Sequence, residues 1–468
     1  MIIVPANTLA AGGFSVDNSC RFNDGDSPQL HRDQPGTPTA TTKFTWSGWF
    51  KLGSSAAQIT LASSFTSGSV YDQIKIMATA THNNVLRIEA GSNEGNAIDL
   101  KATQRLRDPG AWYHLVLAVD TTQGTAGNRD KVYLNGTQIT DWQTETHSTQ
   151  NDTWHMNASG KTIKVGVYDN GTPQDFFDGY LAEVVQVDGQ QLAPTSFGQF
   201  NEDSPTIWEP IDVSGLTFGT NGYYMDFEDS SALGNDVAGK GDFTVANLAA
   251  TDQAADTPTN NWCVLNPLDK HASATFAEGN LDLSTTASGW YGGSGTMGIT
   301  LGSGPWYWEA KAISSTRLYF GLSRIGQGVR GTVLDNSVEG SSDFDYMWRT
   351  TSANTVFYGG SNQSITIAAI SANDICACSV AADGEVIFYV NDSVVVTFST
   401  KLVAGFTYFP VLAANAFGGG TEQWQANFGN PPYANSSSQS DADELGDFEF
   451  ATKSAYAICT KNLGAYGG

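Results

Sequence analysis

Between Phe44 and Gln190 the sequence passes through four short apolar–polar alternations, Phe44–Phe50, Trp112–Val119, Lys131–Ile139 and Asp178–Val187, each bounded by Gly, Asn, Asp or Thr clusters. Aromatic and β-branched residues with period two, punctuated by turn formers, specify antiparallel strands. Asn135-Gly136 inside the third run supplies two residues that tolerate φ > 0, so a tight hairpin is expected there. Strands of this kind must bury one residue in two against a second layer, which makes the expected architecture a β-sandwich. Trp46, Trp112, Leu115, Leu117, Val132, Leu134, Leu181 and Val185 form the expected core.

A second set of strand signals follows residue 270: Trp306–Lys311, Arg317–Ser323, Cys376–Asn391, Tyr408–Leu412 and Ala426–Gly429. Asp383-Gly384 within the longest of them predicts a hairpin turn of the primed type. With 468 residues there is chain enough for two cores, and no ten-residue stretch carries a 3.6-residue apolar period. The expected fold class is therefore all-β: two antiparallel sandwiches with extended arms and almost no helix.

The first set resembles, in order and spacing, the concanavalin A-like or laminin G-like jelly roll. The resemblance rests on Arg21-Phe-Asn-Asp-Gly25, Trp46-Ser-Gly-Trp-Phe50, Trp112-Tyr-His-Leu115, Val132-Tyr-Leu-Asn-Gly136 and Phe177-Asp-Gly-Tyr-Leu-Ala-Glu183, over roughly residues 14 to 200. The second set, over roughly residues 272 to 432, resembles the SPRY domain, a bent sandwich known as a binding platform. The expected organisation is an N-terminal arm (1–13), a jelly roll (14–200), an irregular connector (201–271), a SPRY-like sandwich (272–432) and a C-terminal arm (433–468).

Acidic residues outnumber basic ones 48 to 23, a formal charge of −25 that repels nucleic acid and anionic bilayers. No stretch approaches the ~20 apolar residues of a membrane span. Five scattered cysteines, Cys20, Cys263, Cys376, Cys378 and Cys459, give no disulfide framework; Cys376 and Cys378 alternate on one strand as small core residues. The start, Met1-Ile-Ile-Val-Pro-Ala-Asn7, has neither the basic segment nor the apolar run of a secretory signal, so a protein made in the cytoplasm is expected.

The connector, with Leu233-Gly-Asn-Asp236, Phe243-Thr-Val245, Pro258-Thr-Asn-Asn261 and Leu265-Asn-Pro267, resembles the segment that follows the jelly roll in structural proteins of tailed bacteriophages, especially marine ones. Ile3-Val-Pro-Ala-Asn-Thr-Leu9 and Tyr456-Ala-Ile-Cys-Thr-Lys-Asn-Leu463 are similar to segments of the same proteins, which commonly continue into further modules where this chain stops at Gly468. The resemblance implies a virion protein with capsid or tail subunits as partners: a tail fibre, spike or capsid-attached appendage that adheres to host-surface glycan or protein. Weak lectin-type contacts gain strength only when copies are clustered, so a homo-oligomer, with a trimer favoured, is expected. A decoration or cementing protein is the first alternative, because Met1–Gly13 and Ser436–Gly468 look like arms that order on neighbours; a polysaccharide-degrading enzyme is the second.

Candidate sites follow from chemistry. Sugar binding needs an aromatic face against ring C–H groups with planar polar groups beside it, a description met by Trp142, Trp154 and Tyr168 in the Asn/Asp/Thr-rich stretch 141–175. Tyr346, Trp348 and Tyr358 fall between the recognised strands of the second module, where SPRY domains present protein-binding loops. Calcium, which lectins and laminin G-like modules commonly hold, has oxygen donors near strand ends in Asp120, Asp169 and Asn170. Glycosidases of the concanavalin-like fold set two carboxylates about 5 Å apart in one cleft. The nearest pattern here, Asp226-Phe-Glu228, lies outside the best-matched strands and suits turn capping, and Glu183 suits a structural hydrogen bond; no catalytic residue is expected. The six histidines show no zinc spacing.

Overall fold

The structure, a computed structural model, describes residues 13–53, 58–67, 70–77, 84–91, 98–314, 317–324, 344–350, 355–359, 361–367 and 369–467. The chain forms two compact units that part between Thr259 and Asn260. Both are built from antiparallel strands, and among the described residues one α-helix, Thr460–Tyr466, accompanies them.

In the first unit, the four alternations read from the sequence are neighbours in one sheet. Its order is Thr137–Gln138, Asp130–Leu134, Trp112–Asp120, Lys43–Leu52, Gly179–Asp188, Ser19–Phe22, Gln253–Ala254. Asn135 (φ 47°) and Gly136 (φ 75°) make the tight turn that sets Leu134 opposite Thr137. The facing sheet runs Trp142–Thr146, Ile98–Arg105, Val85–Gly91, Val70–Met77, Gln58–Ser67, Thr162–Val165, Gln29–Asp33, Thr244–Ala246. Between the sheets lie Trp46, Leu115, Leu117, Val132, Leu134 and Leu181 with Ile74, Ile88, Leu100, Ile163 and Leu30.

Two expected core residues sit on the outer face of the first sheet instead. Trp112 has the opposite parity to Leu115 and Leu117, and it packs with Val16, Trp49, Ala182 and Trp208. Val185 is turned outward by a bulge: the pairing with Lys43–Leu52 shifts between Ala182 and Val185, with Glu183 at φ 50°, so that Val184 enters the core and Val185 joins Val116, Val187 and Phe197 outside.

The stretch 201–259 covers that outer face and adds strands to both sheets. Tyr223–Met225 pairs with Gly179–Asp188, Thr244–Ala246 with Gln29–Asp33, and Gln253–Ala254 with Ser19–Phe22. Its Trp208 stacks on His114, whose other face lies on Trp49 at 4.6 Å between ring centroids, and the Trp208 indole donates to His114 Nδ1 at 2.9 Å. Its Asp256 forms a fully buried ion pair with Lys51 at 2.6 Å and accepts from Trp112 Nε1 at 2.9 Å.

The second unit is another two-layer sandwich. One sheet runs Leu265–Lys270, Tyr291–Gly295, Thr407–Ala414, Leu318–Arg324, Phe344–Thr350, Thr355–Tyr358, Ser361–Thr366; the other runs Thr275–Ala277, Asp282–Thr285, Glu422–Asn427, Trp306–Ala312, Ile375–Val380, Val386–Val390, Ser393–Thr397. Trp308 stacks on Phe320 at 4.2 Å in the core, alongside Trp306, Trp348, Trp424, Cys376 and Cys378. The turn at Asp383-Gly384 is not of the primed type: only Gly384 has positive φ (87°), and Ala381 N bonds Glu385 O while Gly384 N bonds Ala381 O. That is a type I turn closed by a glycine bulge.

The segment after residue 433 docks on this same unit. Phe448, Ala455, Ala457, Ile458 and Cys459 are buried. Glu309 Oε2 and Oε1 accept the backbone N–H groups of Glu449 and Phe450, both at 3.0 Å. Asp441 accepts from Leu445 N, Gly446 N, Ala457 N and Asn462 Nδ2 at 2.7–3.1 Å. The C-terminal segment expected to order on a neighbour is thus held by its own unit, and Phe448 lies in a two-residue ladder with Gln439–Ser440.

Candidate functional site

The facing sheet of the first unit carries apolar residues inward and polar residues outward, and strand register sets the outward ones in rows. Lys164, Ser63, Gln73, Glu89, Asp99 and Thr146 are successive partners across six strands. A parallel row holds Thr60, Lys75, Arg87, Lys101 and Thr144. Adjacent strands stand ~4.8 Å apart; within the rows Thr60, Ser63, Gln73 and Lys75 are buried, while Arg87, Glu89, Asp99, Lys101 and Lys164 are half-buried.

Ion pairs knit the rows together. Lys75 binds Glu89, and Arg87 reaches Glu89 through Nη1 at 2.7 Å. Arg87 also grips Asp99 with two parallel bonds, Nε to Oδ1 at 2.8 Å and Nη2 to Oδ2 at 2.9 Å. That fork raises the Arg87 pKa above its ordinary value, outweighing the opposing effect of burial. Gln73 donates to Thr60 Oγ1 at 2.7 Å, so the floor's polar groups are mutually satisfied.

Two tyrosines border these rows. Tyr71 follows the same strand outward from Gln73, and Tyr168 arrives on the short hairpin Tyr168–Asp169/Pro173–Gln174. The hairpin is pinned by Thr60 N to Asp175 O at 2.9 Å, Gln58 Nε2 to Asp175 Oδ2 at 2.5 Å and Ser63 Oγ to Val167 O at 2.7 Å. The two rings meet edge to face at 5.7 Å, with Phe65 behind Tyr168 at 6.3 Å. Both tyrosines are half-buried. Burial, then Tyr71 and the carboxylates of Glu89 and Asp175, push the Tyr168 hydroxyl up to about 12, which keeps it a neutral donor. Aromatic rings beside planar carboxylates and a guanidinium are the residue types that can set a ring face against the C–H groups of a sugar while satisfying its hydroxyls.

Of the three aromatic residues expected to bind sugar, Tyr168 alone reaches this face. Trp154 is 2% exposed, sits in the core with its ring edge-on to Phe44, and donates to Ser148 Oγ at 3.1 Å. Trp142 pairs in register with Ala102, an inward position, and half-covers the sheet's end of the core. In the second unit, Tyr346 and Trp348 lie on the strand Phe344–Thr350 with their side chains in the core, so they do not form a binding loop. Tyr358 is half-buried against Tyr346 at 5.2 Å.

The expected calcium donors stand on different sheets and hold other partners. Asp120 accepts from Thr122 and Gln123 and pairs with Lys43 at 3.2 Å. Those hydrogen bonds outweigh its burial and hold its carboxyl down to about 2. Asp169 binds Lys164 Nζ and the Gly171 N–H, and Asn170 Oδ1 accepts from Thr172 N. Among the described residues no three His, Cys, Asp or Glu side chains gather as metal ligands.

The carboxylates weighed for catalysis are structural in their contacts. Asp226 Oδ1 accepts the Glu228 N–H at 3.1 Å, a local turn. Glu183, buried in the bulge, accepts from the Tyr224 hydroxyl at 2.8 Å, and burial pushes its carboxyl up to about 8, with Asp226, Glu228 and Asp212 adding to the rise.

Sequence reasoning missed Tyr71, Gln73, Lys75, Arg87, Glu89 and Asp99. A signal was present: Tyr71-Asp-Gln-Ile-Lys-Ile, Val85-Leu-Arg-Ile-Glu-Ala and Ile98-Asp-Leu-Lys-Ala-Thr alternate apolar with charged or amide residues on three consecutive strands.

A family model described as the concanavalin A-like lectin/glucanases superfamily, of laminin G type, matches residues 23–189. No curated protein matches the chain. Solved structures that resemble it include the SPRY domain of human HERC1, with 18% identity over 35% of this chain and 96% of that one and a TM-score of 0.27. A heptameric SAP-like pentraxin from Limulus polyphemus has 17% identity over 38% of this chain and 78% of that one, TM-score 0.29. A Bacteroides ovatus protein, provisionally named for carbohydrate binding, has 16% identity over 50% of this chain and 61% of that one, TM-score 0.31. The fold itself is all-β, two antiparallel sandwiches, and the family model falls on the first of them.

Proposed function

We propose that this chain is a non-enzymatic adhesion protein on the surface of a bacteriophage particle, as a tail fibre, spike or capsid-attached appendage, and that it holds host-surface glycan on the outer face bordered by Tyr71 and Tyr168. The observation that carries the glycan part is the juxtaposition of those two rings with the Lys75–Glu89–Arg87–Asp99 ladder in a lectin-like sandwich. The phage part draws its support from the likeness of the connector and the two terminal segments to virion proteins. Contacts of this kind are individually weak, so adhesion is multivalent, through a homo-oligomer (a trimer favoured) anchored to capsid or tail subunits. No resident cofactor or calcium ion is invoked, since lysines already neutralise Asp120 and Asp169.

A purely structural cementing role keeps less support, because the tail that suggested an arm awaiting a neighbour is docked on its own unit. The test is to screen the full-length protein on a glycan array, with and without a chelator, and to assay reducing ends released from host polysaccharide. Glycan binding without release of reducing ends supports adhesion; release of reducing ends replaces it with a depolymerase; silence on both returns the protein to the cementing role.

A further inference from the structure

We infer that Lys51 and Asp256 join through an intramolecular isopeptide bond, an amide between the lysine Nζ and the aspartate Cγ that staples the overlying stretch 201–259 to the first sheet. Lys51 lies on the outer face of the strand Lys43–Leu52, with Trp112 opposite it on one neighbouring strand and Tyr180 on the other. Its Nζ stands 2.6 Å from Asp256 Oδ2, with both side chains wholly shielded from solvent, and 5.7 Å from the centre of the Tyr180 ring. The Trp112 indole donates to Asp256 Oδ1 at 2.9 Å, and Ser19 Oγ donates to Asp256 O at 2.6 Å, so the carboxyl meets the amine in one fixed geometry. Holding two reactants together in this way replaces a slow bimolecular condensation by a fast intramolecular one.

A second buried carboxyl stands beside the pair. Asp178 precedes Tyr180, the partner of Lys51, by two residues, so it lies diagonal to Lys51 on the same face, within reach of a long side chain. Its carboxyl occupies the space that a side chain at residue 53 would fill, which Gly53 leaves open, and residue 53 shares the Lys51 side of its strand. One lysine and two carboxyls exceed what an ion pair requires. They are the set a condensation requires: an amine, the carboxyl it attacks and a second carboxyl to carry a proton.

The Lys51 ammonium passes one proton to Asp256 Oδ2, and the freed amine attacks Asp256 Cγ to form the C–N bond. Negative charge gathers on Oδ1, beneath the Trp112 N–H. Asp178 takes a second proton from Nζ and delivers it to Oδ2, the Cγ–Oδ2 bond breaks, and Oδ2 leaves as water. The third proton stays on the amide nitrogen; nothing is oxidised or reduced, and Asp178 ends as it began. Two charges sealed from water are costly to hold, and the amide removes both. The bond would tie together residues 205 positions apart.

The deciding experiment is intact-mass spectrometry of the full chain under denaturing conditions, followed by peptide mapping. The wild type should weigh one water less than its sequence, and the peptides that hold Lys51 and Asp256 should be recovered joined. Lys51→Arg, which keeps the cation, should have its full sequence mass. Asp256→Asn should form the same amide with loss of ammonia instead of water. Asp178→Asn, shown to be folded by an unchanged circular dichroism spectrum, should lose its water about a hundredfold more slowly after refolding. A wild-type chain of full sequence mass overturns the inference and leaves the two residues as an ion pair. So does a chain lighter by one water in which Lys51 and Asp256 fall in separate peptides. An Asp178→Asn chain that condenses at the wild-type rate overturns the role given to Asp178.

Discussion

Arg87 grips Asp99 through two parallel hydrogen bonds, at 2.8 and 2.9 Å, and with its remaining nitrogen reaches Glu89 at 2.7 Å. A planar fork can hold two carboxylates in one geometry, whereas an ammonium cannot. Arg87→Lys should therefore loosen the ladder while keeping its charge. Sugar affinity is expected to fall by about tenfold, whereas thermal stability should move little, because partly exposed ion pairs are worth only about 0–1 kcal/mol. Calorimetry and a melting curve on the same sample separate the two effects; unchanged affinity would remove Arg87 from the binding face.

His114 offers a different handle. It is buried between Trp49 and Trp208, accepts from the Trp208 indole and meets Ser47 Oγ at 2.8 Å. Burial pushes its pKa down to about 3, from an ordinary value of 6.5. The folded protein thus keeps the ring neutral where the unfolded chain binds a proton. Its contribution is complete above pH 6.5 and drains away as pH falls toward 3. Urea titrations at pH 7 and pH 4.5 should show wild-type stability dropping more steeply than that of His114→Gln. Parallel slopes would assign the acid sensitivity elsewhere.

What the sequence displayed and what it concealed divide along the two sheets of the first unit. The sheet built from Lys43–Leu52, Trp112–Asp120, Asp130–Leu134 and Gly179–Asp188 was legible because Trp, Tyr and β-branched residues crowd those strands and the Asn135-Gly136 turn punctuates them. Its outer face is covered as well, so both parities are apolar, and that is why Trp112 and Val185 were placed on the wrong side. The facing sheet has a polar outer face, so its strands carry fewer aromatic residues and their pattern is quieter. Tyr168 was found because a tyrosine among turn residues is conspicuous. Tyr71 was not, because its partners are set by register between strands, which a sequence does not print. Trp154, Tyr346 and Trp348 look the same in sequence whether they plug a core or face solvent.

Glu309 tests whether the C-terminal segment is part of the second unit. Its carboxylate takes the Glu449 and Phe450 N–H groups, the Tyr307 hydroxyl at 2.9 Å and the Asn427 amide at 3.3 Å. Glu309→Ala strands several of these donors, which should cost about 1–3 kcal/mol. Deleting residues 436–468 removes two of these donors, the Glu449 and Phe450 N–H groups, and also uncovers the side chains over which Phe448, Ala457 and Ile458 lie, so a larger loss is expected. Chemical denaturation of both variants checks the order. A truncated chain as stable as the full one would restore the segment to the status of a free arm.

Glu183 and Glu309 pull the pH dependence the other way from His114. Burial pushes the Glu183 carboxyl up to about 8 and the Glu309 carboxyl up to about 7, from an ordinary value of 4.5. Below pH 4.5 both are protonated in the folded and unfolded chain alike, and their contribution is intact. As pH rises the unfolded chain releases protons that the folded one retains, so stability is lost progressively until pH passes about 7 for Glu309 and about 8 for Glu183. Glu183 is the cleaner probe, because its side chain accepts from the Tyr224 hydroxyl, and a glutamine can still accept that bond. Glu183→Gln should flatten the decline between pH 5 and pH 8.5, leaving the variant closer to wild type at the acid end and relatively more stable at the alkaline end. Stability curves measured at half-unit steps across that interval decide it: if wild type and variant run parallel, the carboxyl is ionised in the fold and the bulge tolerates a buried charge.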